Sequence, residues 1–158
     1  MSARSLQVGL ISDTHGLLRP EAMAALRGSD YIIHAGDICD PAILDALAAI
    51  APVTAVRGNN DHGAWAARLH QTEVLEIGPL CLYVVHDLAD LDVDPRAAGF
   101  QAVISGHSHR PLAETRDGVL FVNPGSAGPR RFTLPISVAR LTVSGTRLAA
   151  ELVELPLR

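Results

Sequence analysis

The chain of 158 residues suits one domain spanning 1–158, and a chain of that size buries roughly 70% of its unfolded surface. A net charge of −4 leaves no basic footprint for nucleic acid or a membrane surface. No apolar run approaches the ~20 residues of a membrane-spanning helix.

All the basic residues are arginines, a compositional bias rather than a functional signal. With a net charge of −4, a phosphate substrate would need local positive charge, which bound metal could supply. Cys39 and Cys81 sit in apolar contexts and read as reduced thiols. The polar N-terminus runs into an apolar strand without a secretory signal, so the expected location is cytoplasmic.

In chain order, Leu6–Ser12 is an apolar strand that ends abruptly at Asp13-Thr14-His15-Gly16. Pro20 to Arg27 reads as a helix stopped by Gly28. Tyr31–Ala35 is a second strand, running into Gly36-Asp37. Asp40 and Pro41 open a helix to about Ile50, with Asp40 as its cap. Pro52–Val56 is a third strand, ending in Arg57-Gly58-Asn59-Asn60-Asp61. This is a βαβαβ pattern, with parallel strands joined by helical crossovers.

The second half is richer in strands. Glu73–Ile77 and Leu80–Val85 flank a Gly78-Pro79 turn, and the second ends at His86-Asp87. Pro95–Gly99 is expected to form a short helix. Ala102–Ile104 runs into Gly106-His107-Ser108-His109. Leu112–Thr115 and Val119–Val122 flank Asp117-Gly118, a strong hairpin signal. Asn123-Pro124-Gly125-Ser126 is a tight loop. Ile136–Val143 and Arg147–Glu154 form a last hairpin around Ser144-Gly145. The expected architecture is two mixed sheets packed together, with helices outside.

Metal-capable side chains sit at the ends of these strands: Asp13 and His15, Asp37, Asn59 and Asp61, His86, His107 and His109. Each has an ordinary explanation by itself. Asp13 or Asp37 is a natural cap, Asn59 a turn residue and His86 a hydrogen-bonded core histidine. Together they point to one sheet edge carrying imidazole and oxygen donors, a set that suits first-row divalent metals. The pairs Asp13/His15 and His107/His109 are two residues apart, and extended backbone would point both members the same way.

The ordered motifs Asp13-x-His15, Gly36-Asp37, Gly58-Asn59-x-Asp61, His86 and Gly106-His107-Ser108-His109 resemble those of the calcineurin-like metallophosphoesterases. The similarity is greatest to their short bacterial and archaeal phosphodiesterase branch. It implies an α/β fold with two mixed β-sheets packed as a sandwich and flanked by helices, a four-layer αββα arrangement. It also implies two divalent ions, manganese first, with iron, zinc or nickel as the other candidates. Asp13, His15, Asp37 and His109 would hold one ion. Asp37, Asn59, His86 and His107 would hold the other. The implied reaction is phosphoester hydrolysis, preferably of diesters, by a hydroxide bridging the two metals. The alternative is a non-catalytic protein-binding scaffold, such as the retromer subunit that shares this fold.

Two positions depart from the wider superfamily. Asn60 stands where many members carry a histidine, and it cannot act as a general acid near neutral pH. His62 is the candidate substitute, against the reading of an exposed loop histidine. Asp87 stands where glycine is frequent, either orienting His86 or serving as a turn residue. Arg57 is a candidate phosphate contact or a surface ion-pair partner. Arg57 and Asn60 are the expected substrate-binding residues. Arg130 and Arg131 either line the substrate mouth or are simply solvated. The expected partner is a small phosphoester, and self-association through apolar strands is a further expectation.

Overall fold

The computed structural model describes residues 5–157. The first half contains β1 (Leu6–Ile11), α1 (Pro20–Leu26), β2 (Tyr31–His34), α2 (Pro41–Ala48), β3 (Val53–Ala55) and a single-turn α3 (Ala64–Ala67). The second half contains β4 (Thr72–Ile77), β5 (Leu80–Val85), β6 (Ala102–Ile104), β7 (Leu112–Arg116), β8 (Val119–Asn123), β9 (Ser137–Ser144) and β10 (Arg147–Glu154).

Two five-stranded sheets result, in the orders β10-β9-β1-β2-β3 and β4-β5-β6-β8-β7. Both are mixed. β1, β2 and β3 are parallel, as are β5, β6 and β8, while the flanking strands pair antiparallel. The parallel set therefore delivers Asp13, Asp37, Asn59, His86 and His107 after the C-terminal ends of their strands. That is the edge where open α/β sheets build sites.

Alternation along the strands explains the layers. Val8, Leu10 and Ile33 face Leu82, Val84 and Ile104 between the two sheets. Their neighbours Ile11 and Ile32 point the other way, onto Leu26 of α1 and Leu47 of α2. A strand buried on both faces must be apolar throughout, which is why Val8–Ile11 lacks a polar alternate, while Gln7, at the partly exposed start of β1, accepts from Thr142 Oγ1. Truncating a fully buried residue such as Leu10 or Ile104 to alanine is expected to cost ~2–5 kcal/mol.

The caps follow the expected chemistry. Asp40 accepts from Ala42 N at 2.9 Å, with Pro41 in the first turn of α2. Asp117 and Gly118 both have positive φ, +52° and +79°, as a tight two-residue hairpin between β7 and β8 demands. The last hairpin turns at Gly145 and Thr146, one residue later than its composition suggests, because Ser144 still pairs with Arg147.

The outer face of the second sheet differs from expectation. Tyr83, Val85, Val103 and Phe121 are covered by Leu88, Leu91 and Phe100 rather than by a long helix. Tyr83 and Phe100 stack with ring centroids 4.9 Å apart. Pro95–Gly99 forms consecutive turns, not the expected helix. Asp94 starts them by accepting from Arg96 N, and Gly99 leaves helical geometry at φ +83°. Five residues between such signals are too few to propagate a helix. Leu88–Asp90 instead forms a 3₁₀ turn, capped by Asp87.

Candidate metal centre

All seven expected ligands meet at one place. Asp13, His15 and His109 form one cluster and Asp37, His86 and His107 another, with one donor atom per residue lying within 4.8 Å of the others in its cluster. Asp37 links the two: its Oδ2 lies 3.7 Å from His15 Nε2 and 3.3 Å from His86 Nε2. Asn59 Oδ1 closes the second cluster, 3.0 Å from His86 Nε2 and 3.2 Å from His107 Nδ1.

The convergence is not produced by extended backbone. β1 ends at Ile11, before Asp13 and His15, and β6 at Ile104, before His107 and His109. Asp13, His15, Asp37, His107 and His109 all adopt left-handed φ, between +47° and +70°, and so does Cys39 at +68°. Such backbone is costly for residues with a Cβ and is kept where surrounding contacts enforce it. Here Asp13 N donates to Gly36 O, His15 N to Asp37 O and Gly16 N to Ile38 O. The two loops therefore zip together residue by residue.

Glycines let these loops touch. A Cβ on Gly58 would lie 2.2 Å from Asp37 N and Oδ1, and one on Gly106 would lie 2.0 Å from Ser12 Oγ. The glycines beside Asn59 and His107 are therefore required by close approach.

Asp61 holds the second loop. Its carboxylate accepts from Asp37 N, Ile38 N, Cys39 N and Gly58 N at 2.8–3.0 Å. The Gly58-Asn59-x-Asp61 motif marks this residue, but its role as a backbone clamp emerges only in three dimensions. Asn123 does the same for the histidine loop, donating to Gly106 O and Ser108 Oγ, while Ser126 Oγ donates to Asp13 O. Asp87 approaches His107, with Oδ2 3.5 Å from Nε2, and not His86. His86 is oriented instead by donating from Nδ1 to Ala35 O at 2.7 Å, which turns Nε2 toward Asp37 and Asn59.

Asn60 is directed at Asp37. Its backbone N and side-chain Nδ2 donate to the two carboxylate oxygens at 2.8 and 3.0 Å. Arg57 Nε donates to Asp61 O at 3.2 Å. Arg57, His62, Asn59, His86 and His107 line one open cavity of about 600 Å³, with His62 exposed on its wall. Arg130 and Arg131 are exposed.

The donor set passes a test of fit for cations. Asp13 is fully buried. Its Oδ2 accepts from Ser12 Oγ and His107 N, while Oδ1 accepts no hydrogen bond and lies 3.4 Å from His109 Nε2. A buried carboxylate oxygen without a donor is unfavourable unless a cation meets it. Burial raises the Asp13 carboxyl, but the nearby imidazoles of His109 and His15 and the hydrogen bond from Ser12 outweigh it and hold the group well below the usual carboxylate range. Burial opposes ionisation of Asp37 too, yet His86 and Asn60 bring it down to about 2. Both acids are thus ready-made anions. Cys39 Sγ lies 3.9 Å from His15 Nδ1, but burial and the nearby Asp61, Asp37 and Asp13 push the thiol up to about 11. The available donors are therefore nitrogen and oxygen.

Comparison with known proteins agrees with this geometry. Residues 6–146 match the calcineurin-like phosphoesterase superfamily domain. A probable metallophosphoesterase of Methanothermobacter thermautotrophicus is 36% identical over 92% of this chain and 91% of its own. The fold matches vacuolar protein sorting 29 from Cryptosporidium parvum, with a TM-score of 0.80 at 20% identity over 94% of this chain and 90% of that one. It also matches an archaeal phosphodiesterase, with a TM-score of 0.78 at 22% identity over 94% of this chain and 100% of that one. The chain belongs to the calcineurin-like phosphoesterase superfamily. That family implies hydrolase chemistry on phosphoesters with divalent metal, and two clusters able to hold ions are present. Among the described residues no helix is long and apolar enough to cross a membrane.

Proposed function

We propose that the protein is a phosphodiesterase working with two divalent ions, manganese first among them. The observation that carries this reading is the pair of donor clusters sharing Asp37, with Asp13 Oδ1 buried and unbonded between the histidines. Asp13, His15, Asp37 and His109 would hold one ion, and Asp37, Asn59, His86 and His107 the second. When bound, two such ions lower the pKa of water and offset charge on a phosphoryl group.

The chain's own residues prepare the site for this. Asp61 and Asn60 fix the Asp37 loop and its carboxylate. His86 Nδ1 is committed to Ala35 O, so its Nε2 is the donor available to an ion. Burial lowers the basicity of His86, but the bond to Asp37 and the charge of Asp13 outweigh it and raise the group to about 8. In the metal-free protein a proton therefore occupies that nitrogen at neutral pH and must leave when an ion binds. Arg57 borders the cavity where the phosphoester would sit, Asn60 acts through the Asp37 carboxylate it holds, and His62 is the candidate proton donor to the departing group.

The scaffold reading draws on the likeness to vacuolar protein sorting 29. Against it stands the complete set of seven convergent donors. Metal analysis with hydrolysis of bis(p-nitrophenyl) phosphate separates the two. About two ions per chain with metal-dependent turnover supports the enzyme. Bound metal without turnover of any phosphoester supports the scaffold.

A further inference from the structure

Beside the 600 Å³ cavity lies a second of about 470 Å³, and the two share Asp87 and His107. Their walls differ in chemistry. The first cavity is lined by Arg57, His62, Gln71 and the carboxylates of Asp87, Asp90 and Asp92. The second is walled mostly by apolar side chains, Leu88, Pro111, Leu112, Phe121 and Leu134, with Arg110 as an added cation beside the shared Asp87 and His107. Its amide, Asn123, is already engaged with Gly106 O and Ser108 Oγ. Leu88, Leu112 and Leu134 are each only partly covered by the protein.

A phosphodiester carries two arms that diverge from one tetrahedral phosphorus. A phosphate at His107 would stand where the two cavities join, with one arm able to enter each. A monoester would leave one cavity empty. We propose that the second cavity is a specificity subsite for an aromatic or alkyl arm of the diester, with the more polar arm in the first. The inference rests on the phosphodiesterase reading, and it commits that reading to unsymmetrical diesters with one apolar arm.

The test uses the full-length Mn²⁺-loaded protein and calorimetric titration with dimethyl phosphate, methyl phenyl phosphate and inorganic phosphate. Exchanging one methyl for phenyl is expected to tighten binding about tenfold or more, from the apolar area covered. Leu134→Asp and, separately, Leu88→Asp should shrink that gain to less than about threefold, while inorganic phosphate binds within about twofold of wild type. The phosphate titration shows that each variant is folded with its centre intact. Equal binding of the two diesters, or a phenyl gain that survives both substitutions, overturns the subsite. Turnover of bis(p-nitrophenyl) phosphate is measured alongside. Methyl p-nitrophenyl phosphate is assayed beside it, and absence of turnover of both refutes the phosphodiesterase reading, while the phenyl-to-methyl ratio still decides the cavity.

Discussion

His34 Nε2 lies 3.0 Å from the hydroxyl of Thr14, the residue between Asp13 and His15. Gly36 N donates to His34 Nδ1 at 3.1 Å, so the ring proton must sit on Nε2 and point at Thr14. The Thr14 hydroxyl in turn donates to Ile38 O at 3.1 Å. One fully buried, neutral imidazole thus ties the first ligand loop to the second, without touching the place where an ion would sit. His34→Leu fills the space but takes the donor from the Thr14 hydroxyl, which keeps only Ile38 O, and leaves Gly36 N without its acceptor. We expect it to destabilise the protein by ~2–4 kcal/mol and to weaken metal binding about 10–100-fold. Denaturant midpoints and a metal titration read the two effects separately. Unchanged metal affinity would show that the link is only structural.

The same histidine sets an acid limit. Burial holds His34 down at about 4, against 6.5 for the free side chain. As pH falls from 6.5 to 4 the unfolded chain takes up a proton that the folded chain refuses, so stability declines by roughly 3 kcal/mol. His86 acts in the opposite direction. Its contribution is complete below 6.5 and is lost as pH rises through about 8, worth roughly 2 kcal/mol. The metal-free protein should therefore be most stable near pH 6.5 within the range 4–9. Urea midpoints across that range check it, and a monotonic trend would contradict it.

Asp61 offers a test of the clamp. Asp61→Ala removes the acceptor for four backbone N–H groups, three of them on residues 37–39. The expected loss is ~3 kcal/mol or more, with bound metal reduced even in protein that remains folded. Asp61→Asn keeps one acceptor oxygen and should fall between the two. Metal content per folded chain is the deciding measurement.

Asp37→Asn separates charge from shape at the carboxylate that links the two clusters. The fold should survive, because Asp61 and Asn60 still hold the loop, while hydrolysis of bis(p-nitrophenyl) phosphate falls about a hundredfold or more. Wild-type turnover in a folded variant with unchanged metal content would remove Asp37 from the centre of the reaction.

Leaving-group dependence tests His62. With Asn60 turned onto Asp37, no acid stands at that position. His62→Ala should leave p-nitrophenyl esters within about threefold of wild type, since that group departs without a proton. Phenyl esters should slow about tenfold or more if His62 supplies one. Equal effects on both substrates would exclude it as a general acid.

Much of this was legible in the sequence, and for identifiable reasons. Strands such as β1, apolar from Val8 to Ile11, and Leu80–Val85 announce themselves because burial on both faces or in the interior demands continuous apolar residues. The ligands follow from their positions after such strands. What the sequence did not show was the backbone that aims them. Alternation in extended chain suggested that Asp13 and His15 converge, but they converge through left-handed residues enforced by Gly36 O and Asp37 O. Partners distant in sequence were equally hidden. Asp87 meets His107 rather than the adjacent His86, and Asp61 reaches back to residues 37–39. His34 lay inside an apolar strand and looked like part of it. Short elements such as Ala64–Ala67 are below the length at which a helical period becomes visible.

The distribution of donors over the sandwich has a mechanical consequence. Asp13, His15 and Asp37 issue from one sheet, while His86, His107 and His109 issue from the other, so each cluster draws from both. A bound ion would act as a cross-link between the halves of the molecule, much as a disulfide joins distant strands, but one that a chelator can undo. Metal loading should then raise the melting temperature in step with free ion concentration, and the donor-bearing loops at the sheet edge should be the first to exchange their amide protons when the ions are withdrawn, ahead of the buried strands.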